Sequence, residues 1–146
     1  MSRVTLSDES GMLERFVSAQ ADIYDTALSE LRQGRKQSHW MWFIFPQLRG
    51  LGQSPASRHY GIVDLDEARR YLAHRVLRPR LVTCAEAVLA HEGVPADSIL
   101  GKVDAGKLRS SATLFAAAGG SSAVFDRILT QFFDGRPCPR TLERLG

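Results

Sequence analysis

The sequence predicts an all-α fold, a single compact domain of six to eight helices, several of them short, with no sheet. Three observations carry that expectation. Apolar residues recur at helical spacing in segment after segment. Residues suited to helix starts and stops, among them Ser54-Pro55, Asp64, Gly34 and Gly93, bracket those segments. No stretch alternates apolar and polar residues as a half-buried strand would.

From Leu13, the positions Phe16, Val17, Ala19, Ile23, Ala27, Leu28 and Leu31 form one apolar face, and Gly34 supplies a left-handed stop. This predicts a single helix of about five turns, with Glu14, Arg15, Ser18, Asp22, Asp25, Ser29, Glu30 and Arg32 turned to water. Residues 1–11 are expected to be a mobile tail and 12–146 the domain. Gly50, Gly52 and Pro55 interrupt the next segment, so Trp40 to Phe45 is a short helix or an extended piece ending at Pro46. Ser54 reads as an N-cap with Pro55 at the first helical position, giving a short helix that ends at Gly61.

Asp64 with Glu67 three residues later is a capping box in its aspartate form, and Leu65, Ala68, Tyr71 and Leu72 make the stripe of the helix it starts. The next helix begins near Leu77 to Pro79, buries Leu81, Cys84, Ala85, Val88 and Leu89, and is ended by Gly93 and Pro95. Asp97 to Leu100 makes one turn. Asp104 or Gly106 precedes a helix holding Leu108, Ala112, Leu114, Phe115 and Ala118. Gly119-Gly120 separates it from a final long helix, Ser122 to Phe133, and Thr141 to Leu145 is a terminal turn. The long first and last helices are expected to form the scaffold.

A chain of 146 residues can bury a core without disulfides or a structural metal. Nineteen Lys plus Arg against sixteen Asp plus Glu give a net charge of +3, which argues against a nucleic-acid footprint. Only Cys84 and Cys138 are present, with no partner at ligand spacing, so no zinc site is expected and a reducing compartment is the simpler reading. The amino terminus has no apolar leader, and no stretch reaches the roughly 18–20 apolar residues of a membrane span. A cytoplasmic protein that avoids membranes is the expectation. No cofactor motif is found: there is no Walker sequence, G-x-G-x-x-G, G-x-S-x-G or H-E-x-x-H.

Two constellations can carry chemistry. Arg35, Lys36, Ser38 and His39 come after a helix stop and precede an aromatic block that holds both tryptophans, Trp40 and Trp42. Cations and hydroxyls in such a turn suit phosphate or carboxylate, although Arg35 and Lys36 can equally complement the negative end of the preceding helix. The second is Lys107, Arg109, Ser110, Ser111 and Thr113, read as hydroxyls and cations at a helix start where free N–H groups favour an anion. Those hydroxyls can instead bond back within their helix. His39 is the best-placed proton-transfer residue, although a packing role is the commoner fate of such a histidine. Trp42, Gln47 and Tyr60 are candidates for a pocket rim, while most of the aromatic block must face the core.

The run SHWMWFIFPQLRGLGQSPASRHYGI, with RFVSAQ before it and KLRSSATLF after it, resembles the bacterial family catalogued as domain of unknown function 1810. The likeness extends from Phe16 to Leu145. It implies a small all-helical protein and no established activity. Because GRK and SHW match the family pattern, it also favours a site at Arg35 to His39. An acidic pair commonly precedes the family's lysine, whereas here Asp104 is followed by Ala105 and Gly106, so no carboxylate-pair chemistry is expected there.

The sequence supports two functional readings. One is a small-molecule site, catalytic or not, for an anionic ligand that is phosphorylated or nucleotide-like: Arg35, Lys36, Ser38 and Lys107 to Thr113 bind, Trp42, Gln47 and Tyr60 contact the remainder, and His39 transfers a proton if a reaction occurs. The alternative is a non-catalytic protein-partner module with an Arg/Trp/Tyr surface, which predicts an exposed, flat aromatic patch.

Overall fold

The computed structural model describes the backbone of residues 2–119 and 123–146 and the side chains of residues 12–119 and 123–146. The expected mobility of residues 1–11 concerns a stretch whose side chains lie outside the described residues, as does the expected helix start at Ser122. Among the described residues there are ten helices and no strand: α1 (Ser2–Ala21), α2 (Tyr24–Gln33), α3 (Met41–Ile44), α4 (Pro55–His59), α5 (Leu65–Ala73), α6 (Leu77–Leu89), α7 (Ala96–Leu100), α8 (Lys102–Ala118), α9 (Ala123–Phe133) and α10 (Pro139–Leu145). The fold class is as expected and the count is higher than six to eight. An isolated parallel bridge joins Leu48 to Ile62, through bonds from Ile62 N to Gln47 O at 2.8 Å and from Arg49 N to Ile62 O at 2.7 Å.

One of the extra helices comes from a break at Asp22–Ile23 in what was expected to be a continuous first helix. No Pro or Gly marks the break. Gln20, only 1% exposed, donates from Nε2 to Phe43 O at 2.7 Å and to the Tyr71 hydroxyl at 3.1 Å, while its Oε1 accepts from Arg80 at 3.3 Å. The break lets α1 lie along α3 while α2 turns onto α6. Arg15 and Glu30, expected in water, are both drawn inward. Arg15 pairs with the fully buried Glu67 at 3.2 Å and donates to His59 O and Gly61 O at 2.8 and 2.9 Å.

Local capping holds where it was expected. The Ser54 hydroxyl accepts from Ser57 N at 3.1 Å at the start of α4. Asp64 accepts from Glu67 N at 2.9 Å, although the Glu67 carboxylate reaches back to Val63 N instead of closing the box on Asp64. Among the described residues, α8 packs against α5, α7, α9 and α10, and α6 against α2, α3, α5 and α9, so that α9, the last long helix, lies against both. A helix enclosed on so many sides must be apolar nearly all round; from Leu108 to Phe115 every residue of α8 but Arg109 is buried. Through the centre runs a chain of rings, with centroids of Phe16–Tyr71, Tyr71–Phe115 and Phe115–Phe125 at 5.2, 5.3 and 5.6 Å.

Candidate functional site

Gly34 ends α2 with φ 77°, and the turn after it is tied down at both ends. Lys36 N donates to Ile99 O at 2.8 Å, anchoring it to α7. Beneath it the Glu30 carboxylate accepts four bonds: Oε1 from Gln37 N (2.8 Å), Ser38 N (3.0 Å) and Trp40 Nε1 (2.9 Å), and Oε2 from the Ser38 hydroxyl (2.6 Å). Burial pushes this carboxyl up, but the four donors outweigh it and hold it down at about 2. The Ser38 hydroxyl and the Trp40 indole are therefore occupied in fixing the turn. The aromatic block divides as its crowding requires, with Trp40 and Phe45 buried in the core and Trp42 and Phe43 half-buried.

With the turn fixed, the Lys36 ammonium lies 2.9 Å from Asp104 Oδ2, and Lys107, one helical turn further along α8, lies 3.2 Å from Asp104 Oδ1. The two candidate segments thus meet at one carboxylate. Lys36 stands 5.0 Å over the Trp40 ring and Lys107 4.8 Å over that of Trp42, so each cation is held by an anion and a π-face together. One carboxylate between two ammonium groups leaves the cluster net positive.

Lys107 opens onto a concavity of about 260 Å³ walled by α8 (Val103, Gly106, Lys107, Ser110), the 47–57 loop (Gln47, Leu51, Gly52, Ser57) and the start of α10 (Cys138, Arg140). Arg140 reaches across to Leu51 O at 3.2 Å. A much smaller recess lined by Trp42 and Tyr60 adjoins it and shares Gln47, Gly52 and Ser57. A side chain at position 52 would meet Ser57 Oγ at 2.5 Å, so only glycine lets the loop lie this close.

The 107–113 segment differs from expectation. Gly101, with φ 89°, starts α8 at Lys102, so Ser110, Ser111 and Thr113 lie in the helix interior, away from free N–H groups. Ser110 Oγ bonds back to Gly106 O at 3.2 Å and Thr113 Oγ1 to Arg109 O at 2.8 Å. The same residues grip a loop: Arg109 donates to Arg136 O and Pro137 O at 2.9 and 3.1 Å, Thr113 Oγ1 accepts from Cys138 N at 2.8 Å, and Ser110 Oγ is 3.3 Å from Cys138 Sγ. Burial raises the Cys138 thiol, and hydrogen bonding from Ser110 and from the backbone at the start of α10 outweighs it, leaving the thiol more acidic than usual. Ser111 Oγ is buried without a partner.

Of the sequence candidates, Gln47, Lys107 and Ser110 line the larger concavity and Trp42, Gln47 and Tyr60 the smaller one. Lys36 joins through Asp104. Arg109 and Thr113 position the Cys138 loop. The Arg35 and His39 side chains are exposed and line neither recess. Asp104, Cys138, Arg140 and Ser57 were missed; the three-residue spacing of Asp104 and Lys107 was the one local signal available. No group of three or more His, Cys, Asp or Glu suited to a metal occurs among the described residues.

A family model described as "Protein of unknown function (DUF1810)" matches residues 10–145. The chain belongs to the DUF1810 family. A solved structure of the family's fold, the conserved hypothetical protein Rv1873 from Mycobacterium tuberculosis, is 47% identical to this chain, covers 91% of it and 95% of its own length, and superposes with a TM-score of 0.89. No curated protein matches the chain. Among the described residues, no helix is long and apolar enough to cross a membrane.

Proposed function

We propose that the protein binds a small anionic metabolite in the concavity between α8, the 47–57 loop and α10. One observation carries this reading: Lys107 and Arg140 border a single 260 Å³ space together with the hydroxyls of Ser57 and Ser110 and the Gln47 amide. Two cations and several neutral donors around a recess suit a phosphate or carboxylate, and the apolar walls of Leu51 and Val103 suit a short carbon skeleton. The volume lies just below the usual range of small-ligand pockets, roughly 300–1,000 Å³, which favours a phosphorylated fragment of a few carbons over a whole nucleotide. Binding is assigned here and no reaction. Trp42, capped by Lys107, and Tyr60, packed on Phe16 and Phe43, form no flat exposed aromatic patch of the kind a partner module needs.

The test is a thermal-shift screen with phosphorylated metabolites on the wild type and Lys107→Ala. The reading expects a concentration-dependent rise in Tm in the wild type that the variant loses. Equal shifts in both proteins, or none across the panel, would sink it.

A further inference from the structure

Cys138 is the one thiol that opens onto the Lys107 concavity, and the anion reading makes no use of it. It is half-buried at the start of α10, so a small reagent in that space of about 260 Å³ reaches the sulfur. No Asp or Glu lines the space, and Lys107 and Arg140 put two cations on its wall. The nearby Asp104 carboxylate is taken up between Lys36 and Lys107. Hydrogen bonding already makes the thiol more acidic than usual, and the cations around it favour the thiolate as well.

A second group at the sulfur lacks an acceptor. Cys138 is the N-cap of α10 and Thr141 its third residue, the position that faces the side chain of an N-cap. Thr141 adjoins the thiol and is fully buried, and its hydroxyl makes no hydrogen bond. A buried hydroxyl left unpaired is costly, and sulfur is a weak acceptor. The Ser110 hydroxyl also stands 3.3 Å from Sγ. An oxygen atom carried by the sulfur would accept from both hydroxyls.

Oxidation by hydrogen peroxide places an oxygen there. The thiolate sulfur attacks one peroxide oxygen, an S–O bond forms, the O–O bond breaks, and the departing hydroxide takes up a proton to leave as water. Sulfur loses two electrons, the peroxide gains them, and the product is a sulfenic acid. Its usual fate is condensation with a second thiol. The other cysteine of the chain, Cys84, is 1% exposed and its thiol is pushed up to about 12 by burial, so it is no resolving partner.

We propose that Cys138 is a site of oxidation by hydrogen peroxide, its sulfenate oxygen held by the hydroxyls of Thr141 and Ser110, and that this modification closes the Lys107 concavity to other anions. The closure rests on the ligand reading above; the oxidation does not.

Dimedone trapping followed by peptide mass spectrometry tests the oxidation in the full chain. After brief exposure to hydrogen peroxide and its removal by catalase, dimedone should label Cys138 and not Cys84. Thr141→Val keeps the shape of the side chain and deletes only the unpaired hydroxyl, so the reduced variant should unfold at the same or a higher urea concentration than the wild type. Its sulfenate should nevertheless decay roughly tenfold faster, the loss expected of one charge-assisted hydrogen bond, when dimedone is added after increasing delays. No adduct at Cys138, equal labelling of Cys84, or a sulfenate as long-lived in Thr141→Val as in the wild type would each overturn the assignment. Calorimetry with glycerol 3-phosphate reads the closure. The reduced protein should bind it, the oxidised protein roughly tenfold more weakly or worse, and Cys138→Ala should bind it equally before and after peroxide. Equal binding by reduced and oxidised wild type would overturn the closure. Binding by neither form would count against the ligand reading and remove the closure with it, while the dimedone adduct still decides the oxidation.

Discussion

Replacing Glu30 by Gln isolates the contribution of one buried negative charge. The amide has the shape of the carboxylate: its oxygen can keep the bonds from Gln37, Ser38 and Trp40, and its nitrogen can donate to the Ser38 hydroxyl in place of the bond now accepted there. Only the charge is lost. A carboxyl lowered from 4.5 to about 2 corresponds to about 3 kcal/mol of stability at neutral pH. Glu30 is 8% exposed yet sits at the base of a surface turn, where solvent screens part of that, and about 2 kcal/mol is the working figure. For a domain of this size that is a fall in Tm of roughly 4–8 °C.

The direction of the shift sets the sign. A carboxyl with a depressed folded-state pKa stabilises the fold above the unfolded value of 4.5, and this stability disappears as pH falls toward about 2. Urea unfolding from pH 7 down to pH 2 should therefore show Glu30→Gln less stable by about 2 kcal/mol at neutral pH. Its acid limb should be shallower than that of the wild type, and the two curves should meet near pH 2. Equal urea midpoints at pH 7, or parallel acid limbs, would refute the argument that the charge itself organises the turn.

The two thiols should part company. Cys138 is the more acidic and borders the Lys107 concavity, while burial pushes Cys84 up to about 12, so iodoacetate should modify Cys138 alone in the native protein. Ser110→Ala should shift the pH–rate profile of Cys138 upward, and mass spectrometry showing both thiols labelled at one rate would contradict this. Asp104→Asn removes the anion shared by Lys36 and Lys107 and should tighten anion binding at the Lys107 site by roughly fivefold, about 1 kcal/mol of Coulomb energy; calorimetry showing unchanged or weaker binding would count against that site. Gly34→Ala places a Cβ at φ 77° and 3.0 Å from the His91 ring, and chemical denaturation should record a loss of about 1–2 kcal/mol.

Helix ends governed by nearby residues were legible in the sequence: Ser54, Asp64 and Gly34 act on backbone groups within a few positions, and the structure uses each as expected. The break at Asp22–Ile23 was not, because it serves the contacts of Gln20 with residues 23 to 60 positions away. Glu30 and Arg15 looked like surface residues because their partners lie in later turns. The site shows the same division. Cations and hydroxyls in the Lys107 segment were visible, but the roles of Arg109 and Thr113 depend on a loop 25 to 28 residues on, and Cys138 and Arg140 enter the concavity only through that loop. Lys36 was legible as a candidate, whereas its link to Lys107 through Asp104 had to await the fold.

Gln20 has a further consequence, for uniqueness of structure. Its amide binds, at one point in the core, the carbonyl of Phe43 near the end of α3, the hydroxyl of α5's Tyr71 and the guanidinium of α6's Arg80. Apolar packing alone tolerates small slides of one helix past another; a buried amide with three directional partners admits one arrangement, since any slip strands a polar group away from water. Leucine at position 20 would then leave a protein that still collapses and is still helical, but in which α3 is free to shift against α1. The neighbouring Trp42, and the recess it shares with Tyr60, would inherit that looseness, and the protein would trade a single conformation for several.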